Sequence, residues 1–118
     1  VVADVTPTAR SLKYLRDLGF HAYVVERWIP QARVRKDVAG FMDILAWRAD
    51  SRMVLAVQAT TGENVSHRVE KIAHGLSKED EIAFVDWKAL ENLVVVHGWA
   101  KQGARGKRKV WTLQEVWL

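Results

Sequence analysis

The sequence predicts a single α/β domain over residues 1–118, built as a central mixed sheet flanked by helices. Three observations predict it. Helical and β-type periodicities alternate in the order helix, strand, strand, strand, helix, helix, strand, strand. Residues 41–48 are apolar on both sides of a strand and 93–97 form a continuous apolar run, as strands inside a covered sheet do. The first three strands read as a meander, and a helical stretch then carries the chain across to a later strand.

The first helix is expected over residues 7–18. Thr6 supplies a cap, Pro7 fits the first helical position, Leu12, Leu15 and Leu18 recur at helical spacing, and Gly19 is a stop. Residues 20–29, rich in Val, Tyr, Phe and Trp, read as a strand in which Glu26 lies in phase with Phe20, Ala22, Val24 and Trp28. A carboxylate on an apolar face is costly unless it is paired or bound to a cation. Pro30 ends that strand, and the connection to Asp37 carries Arg33, Arg35 and Lys36, which either form an exposed loop or grip a phosphate backbone.

Gly40 introduces the second strand, 41–48, where Asp43 shares a face with Phe41, Leu45 and Trp47. Asp is poor in strands and poorly tolerated in a core, so it marks either a ligand or a structural ion pair. After a turn at Ala49, Asp50 and Ser51 the chain returns over 53–60, with Gln58 and Thr60 pointing the same way as Val54 and Ala56. Beside a hairpin partner that carries Asp43, these two residues make a polar cluster.

A helix over 65–76 buries Val65, Val69, Ile72, Ala73 and Leu76, with His67, Lys71 and His74 on another stripe and Arg68 beside it. One histidine with a lysine is not a zinc site. Ser77 to Asp80 reads as a capping box that opens a further helix. The strand at 93–97 is followed by a glycine-rich, basic stretch, 98–109, that holds Lys107 and Arg108 and no acid. Residues 110–118 alternate as a last strand, with Trp111, Leu113 and Trp117 on one side.

Composition narrows the function classes. At 118 residues, 49% hydrophobic and 27% charged, the chain suits one globular core. No apolar run approaches the roughly 20 residues needed to span a bilayer, so no membrane partner is expected. Zero cysteines exclude disulfides and thiolate metal sites and fit a reducing cytoplasm. The chain opens on Val1 rather than Met, the pattern of a trimmed start. A net charge of +4 and a pI near 9.6 suit a polyanionic partner.

The order of elements, with Asp43 on the second strand and Gln58-Ala59-Thr60 on the third, resembles the PD-(D/E)xK nuclease superfamily. The likeness covers residues 7–97 and is nearest to small phage and prophage members related to Holliday-junction resolvases and the VRR-NUC group. It implies a restriction-endonuclease-like core and metal-dependent hydrolysis of DNA, with branched or structured DNA among the candidate substrates. Asp43 then matches the metal-binding aspartate, Gln58 stands at the glutamate position and the Ala59 carbonyl joins them around Mg or Mn, which suit oxygen ligands. The motif is a Q-x-T variant, because Thr60 stands where the superfamily has lysine. Lys71 is the first substitute for that cation and Lys36 the second, while Glu26 or Asp37 replaces the missing first-helix glutamate.

Under this reading Arg33, Arg35, Lys36, Arg68, Lys107 and Arg108 are the cations expected to meet DNA. A homodimer is compatible with cutting two strands symmetrically. The alternative is a nucleic-acid-binding module that kept the fold and lost the chemistry. A third reading is an assembly protein whose six tryptophans fill a core and an oligomer interface, although Trp99 and Trp111 are also suited to stacking on bases.

Overall fold

The computed structural model describes residues 5–118, so the first four residues of the expected domain lie outside the described ones. The chain is mixed α/β. Its elements are α1 (Pro7–Asp17), β1 (His21–Val24), β2 (Arg27–Ile29), β3 (Val34–Lys36), β4 (Ile44–Trp47), β5 (Leu55–Thr61), α2 (Val65–His74), α3 (Lys78–Ala89), β6 (Leu93–Gln102) and β7 (Val110–Trp117). A short 3-10 turn, Gly62–Asn64, leads into α2.

Five strands form one sheet in the order β1-β4-β5-β6-β7. All neighbours run antiparallel except β5 and β6, which are parallel because α2 and α3 carry the chain back before β6 begins. No helix among the described residues is long and apolar enough to cross a membrane.

The sheet is covered on both faces. Leu55 and Val57 of β5 join Leu15 of α1 with Ile44 and Ala46 of β4. On the opposite face Ala56 of β5 packs with Phe41, Val65 and Ile72. β5 therefore alternates between two cores, and the residue after Val57 on the second face, Gln58, is buried with it.

The expected helices form where their local signals stand. The Thr6 hydroxyl oxygen accepts the Ala9 N–H at 3.1 Å, and Ser77 accepts the Asp80 N–H at 3.1 Å. Capping by Ser or Thr stabilises a helix by about 1 kcal/mol, so both starts are set locally. The helix expected over 65–76 stops at His74, where the Gly75 N–H closes onto Lys71 O at 2.7 Å.

The strands differ more from expectation. Instead of one strand over 20–29, β1 stops at Val24, and the N–H groups of Val25 and Glu26 both turn to Asp43 O, at 2.8 and 3.3 Å. The chain then leaves the sheet as a separate two-stranded ribbon, β2 and β3, with Trp28 opposite Arg35. Glu26 sits at the break, beyond the last paired residue of β1. The basic connection is thus an ordered hairpin with Arg33, at φ 51°, in its turn.

The strand expected to begin at Phe41 begins at Ile44. Residues 38–42 form a tight turn, with Val38 and Met42 exchanging bonds of 2.8 and 3.0 Å. Gly40 makes the turn possible: its φ is +78°, and a Cβ there would come within 2.8 Å of the Leu76 side chain. The turn sends Phe41 into the α2 side of the core and leaves Asp43 at the start of β4.

A buried polar network pins α1 to the far side of the sheet. Trp99 Nε1–H donates to Ser11 Oγ at 2.9 Å, and Ser11 Oγ lies 2.9 Å from His97 Nδ1. The Ser11 hydroxyl therefore gives its proton to Nδ1, which leaves the imidazole proton on Nε2 for Glu115, 3.2 Å away. Trp99 is thus half-buried, with its indole N–H tied to α1. Burial pushes the His97 pKa down, against the opposing pull of the Glu115 charge and hydrogen bond.

Two expected outcomes follow from this network. Ser11→Ala leaves both the Trp99 N–H and His97 Nδ1 unsatisfied, and urea unfolding should show a loss of about 2–4 kcal/mol. Since folding depresses the His97 pKa, its stabilising contribution is complete above the free imidazole value of about 6.5 and is lost as pH falls below it. Unfolding curves between neutral and mildly acidic pH should show that decline in the native protein and a smaller one in His97→Gln.

Candidate active-site cleft

One end of the sheet gathers the C-terminal ends of β1, β5 and β6 and the N-terminal ends of β4 and β7. A cleft of about 300 Å³ opens there, lined by Glu26, Arg35, Lys36, Asp37, Asp43, Gln58, Ala59, Arg68 and Lys71, with Thr8 from the first turn of α1. Each group arrives for a local reason. Glu26 comes from the break after β1, Asp37 from the end of the ribbon, and Asp43 from the turn that Gly40 allows. Gln58 belongs to the doubly buried strand, and Arg68 and Lys71 lie one turn apart on α2.

Gln58 is the hub. Its Nε2 donates to Asp43 Oδ2 at 2.8 Å and to Asp37 Oδ2 at 3.1 Å, so a single amide bridges two carboxylates. Its Oε1 faces Lys71 Nζ at 3.4 Å, and the same ammonium lies 3.3 Å from Asp37 Oδ2. Asp43 Oδ2 also accepts the Ala59 N–H at 2.9 Å. The donors and acceptors thus alternate from Ala59 through Asp43, Gln58 and Asp37 to Lys71, each matched in polarity to the next.

The expected site residues divide clearly. Asp43, Gln58, Ala59, Glu26 and Lys71 converge, and the cations Arg35, Lys36 and Arg68 line the same cleft. Thr60 does not; it is buried, 5% exposed, and its side chain lies outside the lining. Gln58 turns its amide nitrogen, not its carbonyl, toward the acids, and Ala59 meets Asp43 through its N–H. Arg33, Lys107 and Arg108 are exposed and lie outside the cleft lining. Asp37, weighed in the sequence only as an alternative to Glu26, is present together with it. Thr8 carried no signal, because a threonine in a first helical turn is unexceptional.

Electrostatics explain why the acids need this network. Asp43 is 5% exposed, and burial raises its carboxyl pKa against the lowering effect of the Gln58 and Ala59 hydrogen bonds. Glu26 is raised as well, first by burial and then by the Asp43 charge, while Arg35 at 3.9 Å pulls the other way. The Arg68 charge also lowers the Asp43 pKa, while Lys71 is paired with Asp37.

The donor chemistry suits a hard divalent cation: carboxylate oxygens of Glu26, Asp37 and Asp43 and an amide carbonyl from Gln58, without soft ligands. Half a turn of the Gln58 amide exchanges Oε1 for Nε2 and brings the carbonyl to the two acids, an arrangement that needs a cation or a carboxyl proton between them. As the side chains stand, no three His, Asp or Glu residues among the described ones are gathered into a ready cage.

A raised Asp43 pKa means that the ionised form costs stability. The sign is that stability is greatest below the unfolded carboxylate pKa and falls as pH rises through the folded one. Asp43→Asn should therefore raise the thermal midpoint at neutral pH by a few degrees, and scanning calorimetry should show that gain shrink toward acid pH.

Comparison with family models, with curated proteins and with solved structures finds no match to this chain.

Proposed function

We propose that this protein is a metal-dependent DNA endonuclease of the PD-(D/E)xK type, hydrolysing phosphodiester bonds with Mg or Mn. The observation that carries the reading is the convergence of Lys71 from α2 with Asp37, Asp43 and Gln58 at one end of the sheet. Thr60 left the superfamily's lysine position without a cation, and Lys71 brings one to the same cleft from the following helix. The topology supports the reading too: a helix, three antiparallel strands (β1, β4, β5), a helical crossover and a parallel β6 follow the order of a restriction-endonuclease-like core.

Asp43, Asp37 and the Gln58 carbonyl would hold the ion, which when bound polarises the phosphate and makes water a nucleophile at neutral pH. The Lys71 ammonium, 30% exposed and held by Asp37, is positioned to offset charge that develops on the phosphate oxygens. Glu26, with its raised carboxyl pKa, is the acid best suited to accept a proton at Oε1 or Oε2. Arg35, Lys36 and Arg68 hold the phosphates on either side.

A second reading, a binding module without chemistry, is favoured by one observation. The Gln58 amide already donates to both Asp37 and Asp43, so each acid has a hydrogen-bond partner without an ion. Linear, flapped and four-way DNA incubated with Mg or Mn separate the two. The endonuclease cuts at least one of them, and Lys71→Ala lowers its rate by about 10² or more. Cutting by the native chain that is no faster than by Asp43→Ala removes the hydrolytic reading and leaves the binding module.

A further inference from the structure

Two basic ribbons leave the sheet at the end where the cleft opens. The first is β2 and β3, inserted between the end of β1 and the start of β4. The second is the outer part of β6 and β7. β5 makes its last pairing at Thr61 with Trp99, so from Ala100 onward β6 has only β7 as a neighbour. From Ala100 to Thr112 the chain is therefore a two-stranded ribbon that continues past β5, with its base against Gly62 and Arg10 and its turn at the tip.

The charge on these ribbons is concentrated and unneutralised. Residues 27–36 and 100–112 hold nine of the chain's 18 Lys and Arg and no acid. All nine are exposed. Among the described residues Arg35 alone of the nine has a carboxylate within salt-bridge reach, Glu26 at 3.9 Å. Each ribbon also sets an exposed tryptophan across from a cation: Trp28 opposite Arg35, and Trp111 opposite Lys101. Arg10 of α1 lies 3.7 Å above the Trp111 ring, adding a tenth cation to the second ribbon's base.

Two dimensions of the ribbons fit a duplex. The ribbons are rooted three strand spacings apart, about 14 Å, with Asp43 and Gln58 between them. From the level of Ala59, which pairs with His97, β6 runs five residues to Gln102, roughly 17 Å. That is about half the ~34 Å helical repeat of DNA. One sugar-phosphate strand of a duplex has the major groove on one side and the minor groove on the other, and the major groove admits a two-stranded β-ribbon. A single strand has no grooves to fill.

We infer that the β2–β3 ribbon and the outer β6–β7 ribbon form a clamp for double-stranded DNA, seating one backbone strand in the cleft with a ribbon in the groove on each side. This rests on the proposed cleft as the place where the backbone sits, and it names the substrate as duplex. The ribbons bind through phosphate neutralisation and do not need the metal.

The test is binding of the full chain, in EDTA, to a fluorescent duplex of two helical turns, about 21 base pairs, and to one of its single strands, across a salt series. The duplex should bind more tightly. Arg27→Ala with Arg33→Ala, and separately Lys107→Ala with Arg108→Ala, should each flatten the slope of log K against log salt by about 1.8, and the four together by about 3.6. Unchanged tryptophan emission and unfolding midpoints establish that the variants fold. The clamp is overturned when either pair leaves the slope at the native value, or when single strand and duplex bind equally. Cleavage in Mg is scored separately with the same proteins. Reduced slopes without cutting by the native chain keep the clamp and remove the hydrolytic reading, whereas cutting with unchanged slopes does the reverse.

Discussion

The cleft depends on the two hydrogen bonds that the Gln58 amide donates, at 2.8 and 3.1 Å, to Asp43 and Asp37. Without a donor between them these carboxylates would face each other at the end of a sheet buried on both sides, a repulsive arrangement in a medium that screens charge poorly. A glutamate at 58 would add a third negative charge and would need a cation to be tolerated. A glutamine supplies the donor itself, so the fold holds together while the two acids stay in place. The Asp43 pKa remains raised even so, because hydrogen bonds only partly offset burial.

Lys71 completes this arrangement from outside the sheet. Its distance to Gln58 Oε1, 3.4 Å, is set by the packing of α2, whose Val65 and Ile72 are buried against Phe41 and Ala56. Packing and chemistry are thus coupled through one helix: the face that carries Val65 and Ile72 into the core aims Lys71 at the acids. On the opposite face of the sheet the Ser11, His97 and Glu115 network plays a different part. Although a serine, a histidine and a carboxylate meet there, Ser11 and His97 are completely buried, so the array ties α1 to β6 and β7 and has no access to substrate.

Much of the architecture was legible because it is encoded locally. Thr6 with Pro7, and Ser77 with Asp80, signal helix starts through bonds that span three residues. The double-sided burial of β5 was readable as two interleaved apolar sets, and Asp43 stood out because nothing in a strand's own periodicity calls for an acid. Less legible were the edges. A run of β-formers over residues 20–29 gives no warning that the Asp43 carbonyl will take both the Val25 and Glu26 N–H groups and split the strand in two. Thr60 was misplaced for a related reason: alternation puts it on Gln58's face, but the cleft closes one residue earlier.

By itself the sequence determined the three helices and the five strands of the main sheet in their order, the basic character of the two segments that became ribbons, and the presence of polar residues where strands should be apolar. These are properties of neighbours along the chain, set by periodicity, capping and composition. Only the tertiary structure decided that Gln58 offers its nitrogen to the acids, that Asp37 and Lys71 meet across 34 positions of sequence, and that both ribbons leave the end of the sheet that holds the cleft. Such meetings depend on strand register and helix packing, which place side chains remote in sequence within a hydrogen bond's length. No local pattern carries that information.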